Sequence, residues 1–150
     1  MCKIDVMWIG LSAKCGRAGC ELPPLDESSN SGKIISGIES RFSELSFYRT
    51  NLVKFAPQDN SGKLRYPYSS EMESAMPALL QEIQNYQPKV VFLLGRQVGE
   101  FVRGYFKKNN VATLATFHEV YHPSYVYIYK RRQLEQYIDD ISKKIKESIS

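Results

Sequence analysis

Polar side chains follow three apolar segments of the sequence, at positions where a strand would end. The clusters are Gly10-Leu11-Ser12-Ala13-Lys14, Thr50-Asn51-Leu52-Val53-Lys54 and His122-Pro123-Ser124. Asn51 offers one hydrogen-bond acceptor and two donors, which together can read the edge of a planar base. His122 can donate to a carbonyl oxygen or stabilise an oxyanion. Both also have a structural interpretation, since Asn is common in turns and a His before Pro can simply cap a loop.

The hydrophobic pattern around these clusters predicts alternating strands and helices. The strands are expected at residues 3–9, 47–54, 88–94 and 111–117, and the helices at 33–45, 69–86, 96–108 and 125–149. This alternation indicates an α/β fold, a three-layer α/β/α sandwich with a central, mainly parallel four-stranded sheet, as a single domain over residues 1–150. Ligands of such sheets bind beyond the carboxyl ends of the strands. We therefore expect Asn51 and His122 to face one pocket whose floor is formed by residues 10–12.

Composition and cysteine content limit the class of protein. At 43% hydrophobic and 24% charged residues, the chain has the composition of a folded protein rather than a disordered one. No apolar run approaches the length of a membrane span, and Asp5 stands where an export signal would be apolar. Cys15 and Cys20 have a spacing that could contribute to a metal site, but Cys2 is the only other cysteine and both histidines are distant. We therefore expect free thiols in a cytoplasmic monomer, with no cofactor, metal cluster or membrane association.

The positive charge is concentrated in the second half of the chain. The net charge is +4, and the first 75 residues carry equal numbers of basic and acidic side chains. Part of the excess lies in the run Lys130-Arg131-Arg132. A basic patch suits a polyanion such as nucleic acid, although a solvated helix face would have the same composition.

Four segments together resemble a known family. They are Ser31-Gly32-Lys33-Ile34-Ile35; the segment from Tyr48 to Lys54 with Pro57; the segment from Pro88 to Val91 with Leu94-Gly95-Arg96; and His122-Pro123-Ser124. In this order and spacing they are similar to the motifs of the uracil-DNA glycosylase superfamily, most nearly the group with iron–sulfur-bearing members. The resemblance covers nearly the whole chain and implies the sandwich fold described above.

The resemblance also implies a function on DNA. Members extrude a damaged base into a pocket and read it by hydrogen bonds. Asn51 would read the base edge, His122 would contact the carbonyl oxygen that gains charge, and the backbone of Gly10 and Leu11 would line the pocket. Ser12 would hold the attacking water.

The same resemblance implies that residues from Ser124 onward form a surface that contacts DNA. The His-Pro-Ser loop would approach the minor groove through Ser124. Tyr125 or Val126 would fill the space left by the extruded base, and Lys130, Arg131 and Arg132 would contact phosphates. Whether the DNA is single- or double-stranded is left open.

Departures from the family pattern leave the reaction open. The family presents an acid after the strand-ending glycine, but here the next acids are Glu21, Asp26 and Glu27. The four-cysteine pattern that holds the iron–sulfur cluster in some members of the family is absent. A leucine, Leu25, stands near the position of the family's aromatic residue that stacks on the base. Three hypotheses follow: a base-binding protein with weak or absent uracil excision, a non-catalytic nucleic-acid-binding module, or a small-molecule or nucleotide-binding α/β protein. The last has only the short fragment Gly16-Arg17-Ala18-Gly19 in its favour.

Overall fold

Four parallel strands form the centre of the protein. The computed structural model describes residues 3–15 and 21–149. The strands are β1 (Val6–Ser12), β2 (Phe47–Val53), β3 (Val90–Leu94) and β4 (Thr116–Val120). They pair in the order β2-β1-β3-β4, and every pairing is parallel. The α/β prediction is therefore confirmed, with a fully parallel sheet.

Within residues 3–15 and 21–149, five helices cover the two faces of this sheet. They are α1 (Asn30–Glu39), α2 (Ser69–Tyr86), α3 (Arg96–Lys108), α4 (Pro123–Tyr129) and α5 (Leu134–Ile149), with a 3₁₀ turn, Arg131–Gln133, between the last two. One apolar core joins α1, α4 and α5 to one face, and a second joins α2 and α3 to the other. The protein is thus a three-layer α/β/α sandwich.

Strand β1 connects the two cores. Val6 and Trp8 belong to the core under α1 and α5, whereas Met7 and Ile9 belong to the core under α2 and α3. All four side chains are fully buried. A strand covered on both faces needs apolar residues at successive positions, which explains the nearly continuous apolar run at the start of the sequence.

The order of the strands places a crevice beside β1. The chain leaves β1 through α1 to reach β2, and then returns through α2 to β3 on the other side of β1. Connections that diverge in this way leave an open crevice at the carboxyl ends of the two central strands. The residues that follow β1 and β3 therefore face the most suitable site for a ligand.

Two elements near the start of the chain differ from the predicted boundaries. Gly10 does not end β1, because it pairs with Asn51 in β2, and the ladder continues to Ser12 opposite Val53. Helix α1 begins at Asn30 and ends at Glu39, rather than covering residues 33–45. Its early start follows from Ser29, whose side chain accepts a hydrogen bond from the Gly32 backbone N–H at 3.0 Å.

Two elements near the end also differ. Strand β4 begins at Thr116, which pairs with Val90, so His118 lies in a strand instead of the predicted loop. The predicted helix over residues 125–149 is divided, because Lys130 has φ −135° and ψ 37°. That conformation lies outside the helical region and separates α4 from α5.

No described helix is both long and apolar enough to cross a membrane. Across residues 3–15 and 21–149, no three His, Cys, Asp or Glu side chains are grouped so that they could hold a metal ion. Cys15 is exposed, and the predictions for Cys2, Cys20 and the glycine-containing fragment 16–19 fall outside the described residues. The sequence contains three cysteines, one fewer than the four-cysteine pattern of an iron–sulfur cluster requires.

Candidate functional site

A cleft of about 1040 Å³ opens at the carboxyl ends of β1 and β3. It brings together six of the predicted site residues, contributed by β1, β2 and the N-terminal end of α4: Leu11, Ser12, Asn51, His122, Ser124 and Tyr125. The parallel sheet explains this convergence, because the ends of its strands lie at one edge. Residues far apart in the sequence thus share one surface.

Asn51 presents its side-chain amide to this cleft. The residue is only 6% exposed, yet no residue in the described part of the chain hydrogen-bonds to its amide group. Among the described residues, no buried side-chain nitrogen or oxygen lacks a partner, so the amide of Asn51 reaches solvent through the cleft. The amide of Asn51 is therefore available to pair with a ligand.

A polar cluster on the opposite face of β2 holds the backbone of Asn51 in place. Tyr48 donates to the Glu82 carboxylate at 2.7 Å, and Thr50 donates to it at 2.9 Å. The Lys54 ammonium donates to the Thr50 hydroxyl at 2.7 Å, to Glu82 and to the carbonyl oxygen of Asn51. Burial and the Glu82 carboxylate raise the pKa of Tyr48, so its hydroxyl remains a donor. This cluster explains why tyrosine, threonine and lysine accompany Asn51 in the sequence.

His122 caps the N-terminus of α4 with one ring nitrogen and leaves the other for the cleft. The Ser124 backbone N–H donates to Nδ1 at 3.1 Å, and the Ser124 hydroxyl lies 2.8 Å from the same atom. Burial and the nearby Lys14 ammonium lower the pKa of His122 to about 4. The ring is therefore neutral near pH 7, and because Nδ1 accepts, the proton is on Nε2. No described residue accepts from Nε2, which can donate to a ligand.

The loop before α1 forms one wall of the cleft. The Arg49 guanidinium donates to the carbonyl oxygen of Leu25 at 2.7 Å and pairs with Glu39 of α1 at 2.8 Å. The same loop lies so close to α1 that a Cβ on Gly32 would be 2.0 Å from the carbonyl oxygen of Asp26. This close approach requires glycine at position 32 and explains the motif at the start of α1.

The three acids after β1 occupy different positions. Asp26 lines the cleft, and its carboxylate accepts from the Ser28 backbone N–H at 3.1 Å. Glu21 instead accepts from the Ala56 backbone N–H at 2.6 Å. Neither Glu21 nor the exposed Glu27 lines the cleft. Among the described residues, Asp26 is therefore the candidate carboxylate of this site.

The remaining predicted residues do not line the cleft. Val126 is 1% exposed and packs in the core beside α1, so of the two residues predicted to fill the space left by an extruded base, Tyr125 is the one at the cleft. Gly10 lies beneath Asn51 rather than on the cleft surface. Lys130 lies over the ring of Tyr121, and Arg131 lies over the ring of Tyr127. Arg132 is exposed. These three cations lie beyond the edge of the cleft.

Aromatic and aliphatic side chains complete the cleft. Tyr121, Ile128 and Tyr129 line it beside α4, and Leu64 and Tyr66 line it from the segment between β2 and α2. The sequence predictions named neither Tyr121 nor any residue of the 57–68 segment as a site residue. A signal for the first existed, because Tyr121, Tyr125 and Tyr129 recur every four residues, the spacing of one helix face.

Comparisons with known proteins identify relatives of this fold. A protein-family model, described as the uracil DNA glycosylase superfamily, matches residues 21–146. The search of curated proteins finds no match. The crystal structure of wild-type SMUG2 from Pedobacter heparinus is similar with a TM-score of 0.68 and 16% sequence identity, covering 97% of this chain and 76% of that one. At this identity, the structural likeness shows a shared fold.

Proposed function

Since the chain belongs to the uracil DNA glycosylase superfamily, we propose that its cleft binds an extruded base of DNA and supports weak hydrolysis of the N-glycosidic bond. The observation that carries this proposal is the arrangement of Asn51 and His122. The Asn51 amide, which has no hydrogen-bond partner among the described residues, and a neutral imidazole open onto the same cleft. Both groups are suited to the edge of an uncharged, planar base.

Base recognition in this proposal depends on the donor and acceptor pattern of the Asn51 amide. The Asn51 amide donates to a carbonyl oxygen of the base and accepts from an adjacent ring N–H. A base without that pattern leaves the amide unsatisfied, which costs about 1–3 kcal/mol. The cleft therefore favours a base such as uracil over bases whose edge presents a different pattern.

His122 stabilises the departing base. Hydrolysis breaks the bond between the sugar C1′ atom and the base nitrogen, and the electron pair of that bond moves onto the base. Negative charge then accumulates on a carbonyl oxygen, to which Nε2–H of His122 donates. The attacking water, held by Ser12, gives its hydroxyl to C1′ and its proton to the Asp26 carboxylate. We expect slow turnover because Asp26 is also engaged by Ser28.

A second candidate is a binding module without turnover. One specific observation favours it: the position after Gly10 holds Leu11 rather than an acid. This candidate retains the same pocket, the same base recognition and DNA as the partner. The monomeric state, the cytoplasmic location and the single-domain organisation of residues 1–150 stay predictions.

The test is excision from oligonucleotides that contain uracil, hypoxanthine or xanthine, with binding measured in parallel. Abasic product that depends on Asn51 would support the enzyme, and base-selective binding without product would support the module. Asn51→Asp is the informative variant, because it preserves the shape of the side chain but replaces both donors with an acceptor. Asn60→Ala, at an exposed position outside the cleft, is its control. Equal affinity for damaged and normal DNA, or binding of free nucleotides alone, would contradict the proposal.

A further inference from the structure

Three exposed tyrosines form a contiguous row of tilted rings along one edge of the cleft. The ring centroids of Tyr121 and Tyr125 are 5.2 Å apart, as are those of Tyr125 and Tyr129. The ring planes are inclined by 31° and 44°, respectively. The three side chains are 55%, 42% and 73% exposed. We refer to this row as the tyrosine ladder.

The backbone that carries the ladder is held firmly. The Tyr137 hydroxyl, on α5, donates to the carbonyl oxygen of Tyr121, and Val126 anchors α4 in the core. The Tyr125 backbone N–H donates to the carbonyl oxygen of His122 at 3.0 Å. A preorganised aromatic surface loses little conformational entropy when it binds a ligand. Because Tyr121 directly precedes His122, the ladder begins beside the proposed base site.

Exposed apolar surface is concentrated around this cleft. Nine large hydrophobic side chains are exposed among the described residues. Six of them line this cleft: Leu64, Tyr66, Tyr121, Tyr125, Ile128 and Tyr129. Single exposed hydrophobic residues are ordinary, but a contiguous group of this kind is typical of a binding surface.

The charges around the ladder indicate an anionic ligand with planar groups. Among the described residues that line the cleft, Lys14, Arg65 and Arg96 are basic and Asp26 is acidic. The Lys130 ammonium also lies 5.7 Å from the centre of the Tyr121 ring. Single-stranded nucleic acid combines a charged backbone with bases whose faces can stack on aromatic side chains. In a duplex, those faces are already covered by neighbouring base pairs.

We propose that the tyrosine ladder stacks on unpaired bases that flank the base held by Asn51 and His122, which makes single-stranded DNA the substrate. This inference rests on the proposed function and extends it to the form of the nucleic acid. It assigns a role to Tyr121 and Tyr129 that base recognition in the pocket does not require.

The experiment measures binding of labelled oligonucleotides by fluorescence anisotropy, comparing uracil with cytosine and single strands with duplexes. Tyr121→Ser and Tyr129→Ser should each weaken single-strand binding by about 5- to 150-fold, the range expected when one base loses its stacking partner. Duplex binding should change little. Phe55→Ser is the matched control, because Phe55 is also exposed, at 45%, and does not line the cleft. Tyr129→Phe keeps the ring and should restore single-strand affinity relative to Tyr129→Ser.

The outcomes separate this inference from the proposed function. A preference for uracil over cytosine together with unchanged single-strand binding in both serine variants would overturn the ladder alone. A ladder-dependent preference for single strands without discrimination between uracil and cytosine would support the ladder and contradict base recognition. If the parental protein binds duplex DNA as tightly as single strands, or more tightly, the role of the ladder is overturned. It is also overturned if the serine variants lose self-association of the protein without any change in DNA binding.

Discussion

Gly10 and Asn51 lie opposite each other in the parallel register of β1 and β2. A Cβ added to Gly10 would lie 2.6 Å from Oδ1 of Asn51, well inside van der Waals contact. The absence of a side chain at position 10 therefore leaves the space that the Asn51 amide occupies. This relationship makes Gly10 a positioning residue for the proposed base site.

We predict that Gly10→Ala displaces the Asn51 side chain and reduces base selectivity. The contacted atom is the end of a side chain, so Asn51 can rotate away while the strands remain paired. The ratio of affinities for uracil- and cytosine-containing DNA should fall by about tenfold, the equivalent of one hydrogen bond of about 1.4 kcal/mol, because cytosine presents a donor and an acceptor where uracil presents an acceptor and a donor. Circular dichroism checks that the fold is retained. An unchanged ratio in a folded variant would show that Asn51 does not read the base.

Asp26→Asn should reduce excision of uracil while leaving DNA binding nearly unchanged. The amide preserves the shape of the side chain but cannot accept a proton from water. Loss of a general base typically reduces the rate by about 100- to 10,000-fold. Single-turnover rates of abasic-site formation measure this effect. Glu27→Gln, on the same segment but outside the cleft, is the control, and a larger loss there than at Asp26 would refute the assignment.

The lowered pKa of His122 predicts a loss of stability in mild acid. In the unfolded chain the ring takes up a proton near pH 6.5, whereas in the folded protein it does so only near pH 4. The unfolded state therefore binds more protons in this window. The free energy of unfolding should fall as the pH falls from about 6.5 to 4, by up to about 3 kcal/mol.

Urea unfolding of His122→Gln at several pH values tests whether His122 causes this loss of stability. Without the titrating ring, the decline between pH 6.5 and 4 should be shallower than in the parent. His118→Gln is the comparison, because burial and Lys144 also lower the pKa of His118 but this residue does not line the cleft. A decline as steep in His122→Gln as in the parent would mean that His122 titrates normally in the folded protein.

Two glycines of α1 offer a matched pair of substitutions. Gly32→Ala places a methyl group against the backbone of Asp26 and should destabilise the protein by about 1–3 kcal/mol. Gly37→Ala meets nothing within 4 Å and should stabilise the helix by up to about 1 kcal/mol. Urea midpoints measure both changes. Equal effects at the two positions would show that the loop carrying Asp26 does not pack closely against Gly32.

Replacing Lys130, Arg131 and Arg132 together with alanine tests the predicted interaction with phosphates. For each phosphate of a single strand that is no longer neutralised, the slope of log affinity against log salt concentration should become shallower by about 0.7. The measurement is oligonucleotide affinity over a range of salt concentrations. A triple variant that keeps both the parental slope and affinity would show that these cations do not follow the DNA backbone.

The sequence by itself determined the architecture and the motifs of the site. Apolar runs such as that of β3 and the helix periodicity of α3 predict a parallel sandwich, because each element must bury one face or both. These local patterns depend on residues that are close in the chain. For the same reason, the segments that contain Asn51 and His122 could be placed at strand ends without knowledge of their surroundings.

Only the tertiary structure decided which side chains meet, because packing joins residues that are distant in sequence. It buries Val126 while leaving its neighbour Tyr125 at the cleft, because α4 turns one face to the core and the other to the cleft. It also places Asp26, rather than Glu21 or Glu27, on the cleft surface, because the loop that carries Asp26 is held against α1 at Gly32. Which neighbour a side chain faces depends on contacts across the sheet and between layers, and no local pattern in the sequence encodes them.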